Sequence, residues 1–232
     1  MYSVAYSAAT LMLLVLSDIN GSFNPWMYKK LKAGKFQEVG RTASALCLLV
    51  GGATFAVSAL APDLVRILAT EAYMEAIWII APVSASVFFI FLYMVFANVE
   101  MYYGENKGIS IISIVCSVLN IILNIIFIPI FGYFAAGWTT LLCYMLLTLL
   151  HYILMRRACR IHHIRKRVFQ DKVILAISGG VVLLSFIAMG LYRLSYLRYG
   201  ALFCAAAVLF AFRKKLLVIL KQMSRGGENH EE

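Results

Sequence analysis

The chain has 232 residues, of which 62% are hydrophobic and only 14% are charged, and its mean hydropathy is +0.85. A soluble domain of this length exposes more charge, so the composition argues against a water-soluble protein and indicates a chain that lies mostly in lipid. The net charge of +10 would suit nucleic acid, but the placement of the charges along the chain argues against that partner.

The apolar segments predict seven membrane-spanning helices and hence an all-α, multipass transmembrane helical bundle. In chain order the predicted spans are 2–20, 43–61, 76–98, 108–129, 133–155, 173–192 and 196–213. A basic connection at 156–172 precedes the last two spans, which occupy 173–213, and a tail at 214–232 follows them. The last span is short, and snorkelling of the basic side chains that follow it would lengthen it.

Polar residues end the first and third spans. Asp18 and Asn20 close the first span, and Asn98 and Glu100 close the third. Residues of this kind at a membrane boundary usually cap helices, and the alternative is that an acid there binds a coupling cation or gates a path.

The fourth and fifth spans form the clearest element, because residues 108–155 contain no Asp, Glu, Lys or Arg. As one helix this stretch would run roughly 70 Å, more than twice the ~30 Å hydrocarbon core. It is therefore a hairpin of two spans. The segment IPIFGY is the expected break, since Pro129 lacks a helix donor and Gly132 tolerates a turn.

Two amides, Asn120 and Asn124, lie four residues apart in this hairpin and so share one helix face. Ser113 and Ser117 continue the stripe. One interpretation is that the amides hydrogen-bond across a helix interface and fix packing. The other is that they line a hydrophilic path for a polar substrate. His151 in the fifth span is likewise either a hydrogen-bonded interior group or a proton carrier.

The basic residues predict the orientation. The connections between successive spans lie on alternating sides of the membrane. Those on one side contain only Arg66, Arg193 and Arg198, whereas those on the other side, together with the tail, contain the remaining 18 of the 21 Lys and Arg residues. By the positive-inside rule the second side is cytoplasmic, which places the N-terminus outside and the C-terminus in the cytoplasm. An external N-terminus without preceding charge is natural if more helices once preceded Met1.

The sequence indicates neither catalysis nor a cofactor. It contains no HExxH, GxSxG or Walker motif, so hydrolysis and ATP use have no support. Its five cysteines include no CxxC pair and are interpreted as small core residues, so we expect no metal site. We interpret the basic connection at 156–172 as an anchor against anionic headgroups; the alternative, a metal bound by Cys159, His162 and His163, does not match a known ligand spacing.

Four segments, in this order, resemble a known family. They are INGSFNPWMYKKLKAGKFQEV, LAPDLVRILATEAYMEA, ANVEMYYGENKG and VLNIILNIIFIPIFGYFAAGWTTLLCY. Together they resemble the C-terminal half of Wzx-type oligosaccharide flippases, which are polysaccharide biosynthesis proteins of the multidrug, oligosaccharidyl-lipid and polysaccharide exporter superfamily. The resemblance covers about residues 10–155, within a bundle-like region at 1–155.

The resemblance implies a fold, a function and partners. Members have two helical bundles that rock about a central cavity and turn a lipid-linked sugar from the cytoplasmic to the outer leaflet. The implied substrate is a polyprenyl-pyrophosphate-linked saccharide, the implied location is the bacterial cytoplasmic membrane, and a separately encoded N-terminal half is a further implied partner. The candidate path residues are Asn120, Asn124, Asp18, Asn98 and, as a pyrophosphate ligand, Arg41.

Three other functions stay open. A truncated relic without transport activity fits the missing first bundle. A membrane-embedded glycan polymerase or ligase usually has a large external loop, whereas the longest external connection here is the one predicted at 62–75. A drug exporter of the same superfamily fits the motifs less well.

Overall fold

The computed structural model describes the backbone of residues 2–68, 71–164 and 166–227. Side chains of this part are described except at 2–11, 68, 71–72, 209, 212, 214–216 and 219–227. The described residues form eight α-helices and one 3-10 helix, Glu71–Ala76, and no strand. The predicted all-α class is therefore confirmed for this part of the chain. The α-helices are α1 (Tyr2–Lys32), α2 (Phe36–Ala59), α3 (Ala61–Leu68), α4 (Ile77–Tyr102), α5 (Asn106–Phe131), α6 (Phe134–Ile161), α7 (Asp171–Gly190) and α8 (Ser195–Gly227).

Five helical stretches of the described part are long and apolar enough to cross a membrane. They are Phe36–Ala59, Tyr73–Tyr102, Asn106–Phe131, Phe134–Ile161 and Asp171–Gly190. They coincide with the second to sixth predicted spans, so a multipass membrane protein is supported. The first and last predicted spans fall on α1 and α8, where part of the side chains lies outside the described residues, and the tail at 214–232 does so as well. The count of seven therefore stays a prediction.

Helix α4 is the centre of the bundle and α5 is its edge. Of the apolar window of α4, 83% is buried, against 6% for α5. Helix α4 packs against α1, α2, α6 and α7, whereas α5 packs mainly against α6. The large fully buried side chains of α4, such as Phe88 and Phe91, explain its position, because they are enclosed by neighbours on several sides.

The turn between α5 and α6 lies at Gly132 and Tyr133, within the predicted IPIFGY segment. Gly132 has φ +68°, a left-handed conformation that favours glycine. The predicted span ends at residue 129, whereas α5 continues through Pro129 to Phe131. A proline removes a single backbone donor, and the reversal itself needs the glycine conformation three residues later.

One end of the bundle joins the 3-10 helix, α2, α6 and α7. The Tyr133 hydroxyl donates to Glu75 Oε2 at 2.7 Å, and the Tyr192 hydroxyl donates to the Ser58 carbonyl at 3.0 Å. Partial burial, together with the hydrogen bond to Glu75, raises the pKa of Tyr133 to about 12. The phenol therefore remains a hydrogen-bond donor at neutral pH.

An ion pair ties α8 to α3 at this same end. Arg198 is only 2% exposed, and its Nη2 lies 2.9 Å from Asp63 Oδ2. The Tyr199 hydroxyl also donates to Asp63, at 2.9 Å. A buried guanidinium requires such a partner, so these contacts fix where α8 begins.

The opposite end joins α1 to α4 and α2 to the segment before α7. Asn98 Nδ2 donates to Asn20 Oδ1 at 2.8 Å, and the Ser44 hydroxyl lies 3.4 Å from Gln170 Oε1. Connections that the sequence predicts on one side of the membrane thus lie at one end of the bundle. Which end faces the cytoplasm is taken up below as a proposal.

At Gly40, helix α2 packs closely against the backbone of the segment before α7. A Cβ placed there would lie 2.7 Å from the Val168 carbonyl oxygen and 3.3 Å from Phe169 Cα, both of which are backbone atoms. Backbone cannot rotate away as a side chain can, so only glycine permits this contact.

We expect Gly40→Ala to destabilise the bundle by about 1–3 kcal/mol through this clash. The matched control is Gly21→Ala in α1, where a Cβ meets no atom within 4 Å; there the gain in helix propensity should leave stability equal or slightly higher. Thermal unfolding of the purified chain in detergent measures both. Equal melting temperatures for the two variants would contradict the contact at Gly40.

Candidate functional site

A carboxylate and an imidazole are buried together between α4 and α6. His151 Nδ1 lies 3.0 Å from Glu100 Oε1, and both side chains are 0% exposed. Glu100 lies in the last turn of α4, and His151 lies within α6, one turn before Met155. Burying either group without a partner costs several kcal/mol, so each side chain provides the polar partner that the other needs across the helix interface.

Aromatic and hydroxyl groups surround this pair along the same interface. The Tyr93 ring stacks on His151 with 5.4 Å between centroids and on Tyr144 with 6.4 Å. The Thr148 hydroxyl donates to the Phe89 carbonyl at 2.9 Å. The interface between α4 and α6 is therefore a polar seam within an otherwise apolar bundle.

The pair can exchange a proton. An acid and a base 3.0 Å apart can share one proton between them. Glu100 Oε2 and His151 Nε2 are buried, and neither has a hydrogen-bond partner among the described residues. Each group thus keeps one polar atom for a further donor, acceptor or proton.

The described residues contain no group of three or more His, Cys, Asp or Glu side chains that could hold a metal ion. Cys159, one of the three residues weighed as ligands, is buried, whereas His162 and His163 are exposed. His162 stacks on Tyr103 with 4.7 Å between ring centroids.

The predicted amide stripe lies at the interface between α5 and α6. Asn124 Nδ2 donates to Asn120 Oδ1 at 3.2 Å, and the Thr139 hydroxyl of α6 donates to Asn124 Oδ1. Ser117 donates to the Ser113 carbonyl within its own helix. The amides thus contact a neighbouring helix, and neither lines the two cavities described below.

The other three candidate residues lie elsewhere. Asn98 bonds Asn20 between α4 and α1, whereas Asp18 on α1 and Arg41 on α2 are exposed. None of the hydrogen bonds described joins these three to Asn120 or Asn124. The structure therefore does not bring the five candidates into one network.

The expectation that Asp18 and Asn20 cap a helix is wrong. Helix α1 continues past both residues to Lys32, with Pro25 in its interior. Asn98 and Glu100 do lie in the last turns of α4, but their side chains bond α1 and α6 instead of capping. These polar groups therefore connect helices.

The pair of Glu100 and His151 was not predicted from sequence, although both residues were noted. Each is isolated in a long apolar stretch, since 76–99 and 108–150 contain no other Asp, Glu, Lys, Arg or His. Isolation of this kind marks a functional residue in a membrane helix. The pairing itself depends on which faces of α4 and α6 meet, and no local pattern states that.

Comparison with known proteins finds no match to this chain. No protein-family model, curated protein or solved structure is similar to it.

We expect Glu100→Leu or His151→Leu alone to lower the free energy of unfolding by about 3–5 kcal/mol, because each leaves a buried polar partner unpaired. The double variant should recover most of this loss, since two apolar side chains replace the pair. Unfolding by SDS in mixed micelles, followed by circular dichroism, measures the cycle. Glu105→Leu, at an exposed site before α5, is the control. Additive losses in the double variant would show that the two side chains are not coupled.

Proposed function

We propose that the chain is the C-terminal part of a transporter that flips a lipid-linked oligosaccharide across the bacterial cytoplasmic membrane by alternating access. The four segments that resemble flippases support the substrate class. The helical, apolar bundle is compatible with this function. The single observation that carries the proposal is the pair of Glu100 and His151.

The buried pair suits the energetics of a coupled transporter. A second proton gives the pair a net positive charge between two apolar helices, and loss of the first gives it a negative one. Either change alters the free energy of packing α4 against α6. Proton binding and helix arrangement are therefore linked, as coupled transport requires.

The exposed polar residues of α1 favour the interpretation that this helix forms part of a cavity wall. Ser17, Asp18, Gly21 and Ser22 are all exposed there. An exposed carboxylate is unfavourable against lipid, so this strip fits water or a second protein surface. In the proposal it faces the cavity, and the opposite wall comes from a first bundle that is encoded separately.

The remaining candidate residues have three different roles in this proposal. Arg41 is exposed on α2 and is the candidate for contact with the substrate pyrophosphate. Asn98 supports the cavity wall by its bond to α1. We assign Asn120 and Asn124 to packing, because their bonds lie at the α5 and α6 interface.

The orientation can be tested by cysteine labelling in intact cells. If the N-terminus is outside, a membrane-impermeant thiol reagent reaches Ile67→Cys and fails to reach Lys166→Cys, although both side chains are exposed. Permeabilised cells, in which both sites react, are the control. Labelling of position 166 alone in intact cells would reverse the orientation.

Proton coupling can be tested in proteoliposomes that contain the full chain together with the separately encoded first bundle of the proposal and a pH-sensitive dye. We expect a polyprenyl-pyrophosphate-linked saccharide to induce proton flux. Glu100→Gln should reduce this flux at least tenfold, because the amide cannot titrate. Glu105→Gln, exposed and outside the pair, is the matched control. Unchanged flux in Glu100→Gln would remove the pair from the mechanism. No flux with the unaltered chain would favour the non-transporting relic.

A further inference from the structure

Helices α4, α6 and α7 form a long apolar groove on the surface of the bundle. Its volume is about 820 Å³. Representative lining residues are Phe89 and Phe96 of α4, Leu142 and Leu149 of α6, and Gly179 and Phe186 of α7. The polar exceptions are Thr148, Tyr152, Asp171 and Ser178, and the Thr148 hydroxyl is already bonded to the Phe89 carbonyl.

A basic cavity of about 300 Å³ adjoins one end of this groove. It lies between the end of α6 and the start of α7, and Asp171 lines both cavities. Phe96 of the groove and Phe169 of the basic cavity are in contact, with 5.4 Å between their ring centroids. The two cavities are therefore neighbouring parts of one concave surface.

Cations dominate the charge of the basic cavity. Arg156, Arg160 and Lys166 line it, together with His163, and Asp171 is the one acid that lines it. The Asp171 carboxylate accepts from Arg167 Nη1 at 3.0 Å, so its charge is already balanced. Within the described part of the chain, none of the three lining cations forms a salt bridge.

We infer that the groove and the basic cavity together form a binding site for an anionic phospholipid. The headgroup phosphate lies among Arg156, Arg160 and Lys166, and an acyl chain follows the groove along α7. Basic pockets beside membrane helices recognise anionic headgroups, and apolar grooves accept their chains. This inference does not depend on the transported substrate.

The dimensions of the groove fit an acyl chain. Its lining runs along α7 from Asp171 to Phe186, which corresponds to roughly 22 Å of helix. One leaflet of the hydrocarbon core is about 15 Å thick. A chain that starts at the basic cavity can therefore remain in the groove through its whole leaflet. A free phosphate or a soluble anion would leave this apolar surface uncovered.

The test is native mass spectrometry of the full chain in detergent, titrated with dioleoylphosphatidylglycerol or with dioleoylphosphatidylcholine. We expect tighter binding of the anionic lipid. Arg156→Gln/Arg160→Gln should weaken it about 30-fold, since each surface cation contributes roughly fivefold. Arg157→Gln, a neighbouring exposed arginine that lines neither cavity, is the matched control and should bind as the unaltered chain does.

A second variant tests the groove itself. A Cβ at Gly179 meets no atom within 4 Å, so a side chain can start there in open space, and Gly179→Leu should obstruct the groove and weaken binding of both lipids several-fold. Gly190→Leu, equally open but outside the groove, is its control. Melting temperatures and elution volumes verify that all variants are folded.

Three results would overturn the inference. Unchanged binding in Gly179→Leu would show that the chain lies outside the groove. Full competition by inorganic phosphate would show a site for a free anion. A dimer that forms while the anionic lipid is excluded would assign the groove to a second copy of the chain.

Discussion

The contact on which the bundle depends is the one between Glu100 and His151, because neither group is tolerated in an apolar interior alone. It joins the central helix α4 to α6 at a distance of 3.0 Å. Helices α1, α2, α3 and α7 also contact α4, whereas α5 packs mainly along α6 and α8 packs against α1 and α2. An ionisable pair therefore lies in the interface of the central helix, near its last turn, where apolar side chains of similar size would serve stability as well. Its two buried ionisable groups are the basis of the transport proposal.

Much of the architecture was predictable, because the bilayer restricts a chain to few solutions. The charge-free stretch of 108–155 predicted two spans from length alone, and α5 and α6 occupy it. The turn was predicted within the segment IPIFGY, where Gly132 has the left-handed conformation, but the helix before it extends two residues beyond the predicted end at 129. A proline at a helix end is compatible with continuation, so its presence alone does not locate the last residue of a helix.

The site was less predictable than the fold. The spacing of Asn120 and Asn124 predicted a shared face, and their bonds to each other and to Thr139 show which neighbour that face meets. Glu100 and His151 are 51 residues apart in sequence, and their contact depends on the rotation of two helices about their axes. Periodicity states which residues share a face but not which faces meet. The groove along α7 is likewise a property of three helices together, so no single segment indicates it.

The position of α5 at the edge of the bundle has a consequence for the insertion of the protein into the membrane. It contacts little besides α6, so it adds almost nothing to the bundle until α6 follows it. Its isoleucines suffice for insertion into lipid on their own, but its amides need Thr139. We therefore expect the two helices to leave the insertion machinery as one hairpin and to dock onto α4 afterwards. Until α6 has entered the membrane, the amide oxygen of Asn124 lacks the hydroxyl donor that Thr139 supplies.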